Sequence, residues 1–150
     1  GALPPLAHFF HSLADSLRMD PAQFLQGETV KISNATYAVC RTTQEHPTAF
    51  ATIRDGTETT VVVDEDSIDT ADADTIESGW KRLTFDVELP FELVGFLAAV
   101  TTALAEANVA VFAFSSYSTD HVLVKETDLD DAVSQLETLG CTVVEGPIRD

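Results

Sequence analysis

Polar and apolar residues along this chain follow two different periods, and the change between them divides it. Leu6, Phe10, Leu13 and Leu17 recur at three- and four-residue spacing, which predicts an amphipathic helix entered through Pro4 and Pro5. Asp20 before Pro21 reads as an N-cap with proline at the first helical position, so a short turn of helix should run through Leu25 and end at Gly27. From about residue 29 the period drops to two. Val30 and Ile32 alternate with polar residues, and Tyr37 to Arg41, Ala49 to Ile53 and Thr59 to Val63 are β-rich. The Asp55-Gly56 pair predicts a hairpin turn between the last two.

The second half is more regular. Leu83, Phe85 and Val87 alternate, giving a strand with one buried face that Pro90 stops. Leu93, Phe96, Leu97, Val100 and Leu104 line one face of a helix that Asn108 ends. The stretch VAVFAFSSY is apolar on both faces, which predicts a central strand. HVLVKE after Asp120 is another strand. Asp128 is placed to cap a helix whose Leu129, Ala132, Val133, Leu136 and Leu139 share a face, with Gly140 at C′. Cys141 to Glu145 supply a last strand. The order βαββαβ predicts an α+β, ferredoxin-like unit, with both helices on one face of a four-stranded antiparallel sheet.

Between the halves, residues 64–78 carry seven acids and no base. They lack the glycine and terminal glutamate of a calcium loop, so a solvated connector with a helical turn is the reading adopted. Gly79 marks the boundary. The chain then divides into an N-terminal helical segment (1–27), a strand-rich half with the acidic connector (28–78) and the βαββαβ unit (79–150).

Charge narrows the partners. The chain holds 25 acids against 8 bases, a net charge of −17, and its only lysines are Lys31, Lys81 and Lys125. Such a surface repels phosphate backbones and anionic lipids, so no nucleic acid and no membrane is expected as a partner. An Asp- and Glu-rich, Lys-poor surface suits concentrated salt, which screens self-repulsion; a halophilic protein is expected. No apolar run spans a bilayer, and no basic region precedes the first apolar residues as in a signal peptide. Cys40 and Cys141 form no CxxC pair and are expected to be reduced and partly buried in a cytoplasmic protein.

Catalytic signatures are missing. There is no GxSxG, Walker loop, HExxH or GxGxxG sequence. His8 and His11 lie at i, i+3 on one helix face, but Leu6 and Phe10 already define the buried side, so no metal is expected there. His46 and His121 are isolated. Neither cysteine has the surroundings of a nucleophile. The chain is read as a non-enzyme without cofactors, and an enzyme with a dispersed active site is the least favoured alternative.

Several motifs carry a family resemblance: Gly79-Trp80, LPFELVGFLAAV at 89–100, ALAEANVAVFAFSSYSTDHVLV at 103–124 and DLDDAVSQLETLG at 128–140. Together they resemble an ACT domain, and more narrowly the ACT-type family that includes the CASTOR arginine sensors and small microbial proteins. TYAVCR at 36–41 and the paired strands before Asp64 look like a reduced ACT-like half. The resemblance implies amino-acid binding between two such units, at the loop between the first strand and first helix. Here that loop holds Pro90, Phe91, Glu92, Val94 and Gly95. Glycine lets backbone approach a ligand, and free N–H groups at a helix start attract a carboxylate.

From the arginine sensors, the resemblance carries the strand-end contacts onto Ser116, Tyr117 and Asp120, with Asp120 holding a cationic side chain or an α-ammonium group. Ser115, Ser118 and Thr119 are candidates for further polar contacts. Structural readings stand beside these: Gly95 permits close helix packing, Asp120 caps a turn, Glu92 complements the helix N-terminus and Trp80 anchors the two halves. The implied function is a regulatory module binding an amino acid, cationic on this resemblance, acting on a protein partner and working as a homodimer. The alternative is an assembly module of the same fold without a ligand.

Overall fold

The computed structural model describes residues 20–68, 75–86 and 95–146. The predicted helix at 3–18, with His8 and His11, and the loop residues Pro90, Phe91, Glu92 and Val94 lie outside them, as does Val87. Chain order among the described residues is α1 (Pro21–Leu25), β1 (Thr29–Arg41), β2 (Ala51–Arg54), β3 (Thr59–Asp64), β4 (Thr75–Phe85), α2 (Phe96–Glu106), β5 (Val111–Ser115), β6 (Asp120–Lys125), α3 (Leu129–Thr138) and β7 (Thr142–Glu145). Single 3₁₀ turns at Glu65–Ser67 and Glu126–Asp128 lead out of β3 and into α3.

Local signals act largely as expected. The Asp20 carboxylate accepts from the Ala22 N–H with Pro21 opening the helix. Gly27 and Gly140 both take positive φ where helices end, and Asn108 does the same at φ 60°. Asp55 accepts from the Thr57 and Glu58 N–H groups and closes the β2–β3 turn. Asp128 sits at the N-cap of α3 but makes no side-chain capping bond.

The sheet departs from four antiparallel strands. Its order is β2-β3-β1-β4-β6-β5, with β7 paired to β1. β1 lies antiparallel between β4 and the rest, and β7 runs parallel to it, Val30 opposing Phe85 on one side and Val143 on the other. A strand from the N-terminal half thus fills the place beside β4, and the last strand is displaced outward by one. The length of β1 allows this. Its first residues, Thr29 to Ile32, pair with β7 and the end of β4, and its own end, Tyr37 to Arg41, pairs with β3 and the start of β4.

A register shift between Ile32 and Thr36 bends β1 between these two roles. The bulge is held by Lys81, whose ammonium donates to the Asn34 carbonyl at 2.9 Å, and by Ser33, whose hydroxyl accepts the Arg82 N–H at 3.0 Å. Gly79 lies inside β4 at φ 85°, so the strand begins before it, at Thr75, and runs through it.

α2 and α3 cover one face of the sheet. Between them and the strands lie Val30, Leu83, Phe85, Val100, Leu104, Val122, Val124 and Leu136, all fully buried. The opposite face carries a second cluster of Tyr37, Val39, Val62, Trp80 and Leu123, which joins residues of both halves as expected for Trp80. A third cluster, Ala38, Cys40, Val61 and Val63, serves the N-terminal half alone. Cys40 and Cys141 are buried and free.

The expectation of a central strand at 109–117 is corrected: β5 is the edge strand. Its second apolar row is accounted for by the far face, where Phe112 meets the Trp80 ring edge-on at 5.6 Å while staying 40% exposed. Apolar residues on both faces therefore reflect two clusters, one on each side of the sheet, and not two neighbouring strands.

Candidate functional site

The β5–β6 hairpin collects most of the predicted ligand residues that the structure describes. Ser115 pairs with Asp120 and Phe114 with His121, and the turn between them is Ser116 to Thr119. The same end of the sheet holds the end of β4, since Thr84 pairs with His121. Side chains alternate across a strand, so adjacent Asp120 and His121 point to opposite faces. Asp120 shares the helix-covered side with Val122 and Val124, and His121 shares the other side with Leu123.

On the helix side, the Ser115 hydroxyl donates to the Asp120 carboxylate. Asp120 is buried, with 8% of its surface exposed. Gly95 belongs to this side too: it is the N-cap residue of α2 at φ 102°, and a β-carbon there would meet the Phe24 ring at 3.3 Å. Both the backbone angle and the close packing of α1 on α2 call for glycine.

On the far side, Ser116 fixes the state of His121. The Ser116 hydroxyl donates to the Thr119 carbonyl at 3.0 Å, so it accepts from the imidazole Nε2–H at 3.1 Å. The other ring nitrogen, Nδ1, then accepts from the Thr84 hydroxyl at 3.0 Å. With the ring neutral, as its lowered pKa requires, this pattern assigns His121 as the Nε2–H tautomer. Burial, then the nearby Arg82 charge, push its pKa down to about 4, with Asp120 opposing.

Arg82 is the largest fully buried side chain among the described residues. Its guanidinium lies 4.0 Å from the Phe50 ring centre and 5.5 Å from that of Tyr37, and it donates to the Tyr37 hydroxyl at 3.1 Å. Cation–π contacts of this kind are strongest when desolvated. Burial raises the Tyr37 pKa, and Arg82 partly offsets that rise. Phe50 and His121 also form a T-shaped pair, with centroids 5.1 Å apart at 81°.

The structure therefore groups Ser115, Ser116 and Asp120 into hydrogen bonds at one hairpin, with Thr119 contributing its carbonyl. Tyr117 projects from the turn, 85% exposed. Among the described residues, open clefts of about 570, 640 and 390 Å³ lie elsewhere, two flanking the β2–β3 hairpin and one between α3 and β7, and none of these is lined by a predicted ligand residue. No group of three metal-ligating side chains occurs among the described residues. No helix there is long and apolar enough to cross a membrane.

Sequence reasoning passed over Arg82, Tyr37 and Phe50, and left His121 isolated. One signal was present. Arg82 shares its strand parity with Trp80 and Thr84, opposite to Leu83 and Phe85, and so belongs to the face that Trp80 anchors.

Comparison with known proteins places this geometry. Among solved structures, a protein from Agrobacterium tumefaciens is 22% identical, with 82% of this chain and 96% of that one covered at a TM-score of 0.70. A Vibrio cholerae protein of unknown function is 25% identical over 83% and 96%, at 0.64. The regulatory subunit of aspartate kinase from Thermus thermophilus is 10% identical over 77% and 97%, at 0.56. No curated protein matches the sequence. The fold is α+β of the ferredoxin-like ACT type, and residues 75–138, from the first residue of β4 to the last of α3, match the family model described as ACT domain.

Proposed function

We propose that this protein is a non-catalytic regulatory module that binds an amino acid. The observation that carries the reading is the match of residues 75–138 to the ACT domain on a fold shared with aspartate kinase regulatory subunits. The ligand is assigned to the end of the sheet where β4 ends and the β5–β6 turn lies. There the α2 start at Gly95, with Pro90, Phe91, Glu92 and Val94 before it, would take the α-carboxylate. Asp120, with Ser115, Ser116, Tyr117 and Thr119 around it, would take a cationic group. One Asp120 oxygen already accepts from Ser115, and a carboxylate has further lone pairs to offer. The working form is a cytoplasmic homodimer whose ligand shifts the packing against a protein partner.

Thermal-shift measurements with single amino acids at millimolar concentration, in molar KCl, test this. A cationic amino acid should raise the midpoint, and Asp120→Asn should weaken that response while leaving the unliganded protein folded. No shift with any amino acid would leave the assembly reading in its place.

Composition supports a second proposal, that the protein works in concentrated salt. With a net charge of −17, self-repulsion should be screened as KCl rises. The denaturant midpoint is then expected to climb between 0.1 M and molar KCl, and a constant midpoint would count against it.

A further inference from the structure

We propose that His121 is a positioning residue that ties the polar turn Ser116–Thr119 to the Thr42–Phe50 segment of the other half, so that a change at the turn is transmitted to that segment. The chain of contacts is continuous. Ser116 accepts from the His121 Nε2–H, and Thr84 donates to Nδ1, so both ring nitrogens are held and the ring has one orientation. It packs against Phe50 in a T-shaped contact, with ring centroids 5.1 Å apart. Phe50 is also the ring stacked over Arg82 at 4.0 Å, and its N–H donates to the Val62 carbonyl at 2.7 Å.

The imidazole is thus the joint between a hydroxyl at the turn and an aromatic ring that ends the β1–β2 connection. The Ser116 hydroxyl serves two bonds at once, to the Thr119 carbonyl and to the ring. Any group that recruits this hydroxyl or that carbonyl alters the bond that orients His121. Reorienting the ring breaks its T-shaped contact with Phe50, and Phe50 can follow only by moving on Arg82 and on its bond to Val62. The energetic link runs through packed and hydrogen-bonded groups, and measured coupling is what establishes it.

The proposal rests on the amino-acid reading only for which ligand moves the turn; the link itself is tested without one. Amide hydrogen exchange would be followed by NMR in the full chain for the wild type, Ser116→Ala, His121→Gln and the double variant. Ser116→Ala is expected to speed exchange at Ala49 and Phe50 at least three-fold, with the Leu136 amide in the core of α3 unchanged. In the His121→Gln background the same substitution should leave Ala49 and Phe50 unaffected.

A response confined to residues 114–121, one shared equally by Leu136, or one that persists without His121 would overturn the link. Should His121→Gln fail to fold, Phe50→Leu gives the reciprocal measurement, with faster exchange of the Ser116 amide expected and no change overturning the proposal. A failed amino-acid screen would remove the ligand assignment and leave these outcomes as they stand.

Discussion

Ser115 and Asp120 oppose each other across the β5–β6 ladder, and the serine hydroxyl donates to the buried carboxylate. The residue proposed to meet a ligand thus also closes its own hairpin. Removing the carboxylate leaves the Ser115 hydroxyl without this acceptor and removes a hydrogen bond to a charged group. Asp120→Ala should lower stability by about 1–3 kcal/mol, read from urea unfolding. Asp120→Asn keeps an acceptor oxygen and should cost less than half of that. Equal losses would show that the hydrogen bond is not what Asp120 contributes to stability.

Gly95 has a structural demand independent of any ligand. At φ 102° a side chain is strained, and the β-carbon would press on Phe24 at 3.3 Å. Gly95→Ala should cost about 1–3 kcal/mol. Gly56, at φ 85° with open space around it, supplies the comparison: its alanine variant carries the backbone strain without the contact and should lose less. If Gly56→Ala loses as much, the Phe24 contact contributes nothing.

The inserted strand pairs with both β4 and β7, which ties the ACT-matched half to the other. Among the described residues β7 pairs only with β1, and β1 contributes Val30 and Ile32 to the core beneath the helices. A chain of residues 75–150 alone is expected to show no cooperative thermal transition by circular dichroism, whereas residues 20–150 should unfold cooperatively. A cooperative transition in the shorter chain would mean that β7 can move inward and pair with β4 directly.

The legibility of these features in the sequence depends on the range of the interaction behind them. Caps and turns are set by neighbours within four residues, so Asp20-Pro21, Asp55-Gly56 and Gly140 could be read directly. Amphipathic faces are set by burial on one side, so Val100, Leu104 and Leu136 were also legible. Strand order is set by partners far away in sequence. Nothing within β1 says that it will sit between β4 and β7, because alternation in Val30 and Ile32 fits either neighbour. The same limit explains β5: apolar residues on both faces indicate burial or partial burial on both sides, which a central position and an edge strand between two clusters satisfy equally. At the site, Ser115, Ser116 and Asp120 were legible as a polar turn. Arg82 and Phe50 were not, since residues 32 positions apart meet only after the two halves share a sheet.

His121 offers a measurement of this second face through pH. Unfolded, the imidazole titrates near its ordinary value of about 6.5; folded, burial and Arg82 hold its pKa near 4. The facing groups are Arg82 from β4 and Asp120 beside it, with the neutral hydroxyls of Thr84 and Ser116 and the Phe50 ring closing the surroundings. Between these two values the unfolded chain binds a proton that the folded protein excludes. The contribution of neutral His121 is therefore complete above about pH 6.5, falls as pH drops, and is exhausted near pH 4. Wild type should lose about 2–3 kcal/mol more than His121→Gln on going from pH 7 to pH 4, by urea unfolding at each pH. Carboxylates away from His121 are common to both proteins and cancel in the difference. An equal slope in the two proteins, or a wild type that gains stability relative to the variant on acidification, would contradict a neutral, buried His121.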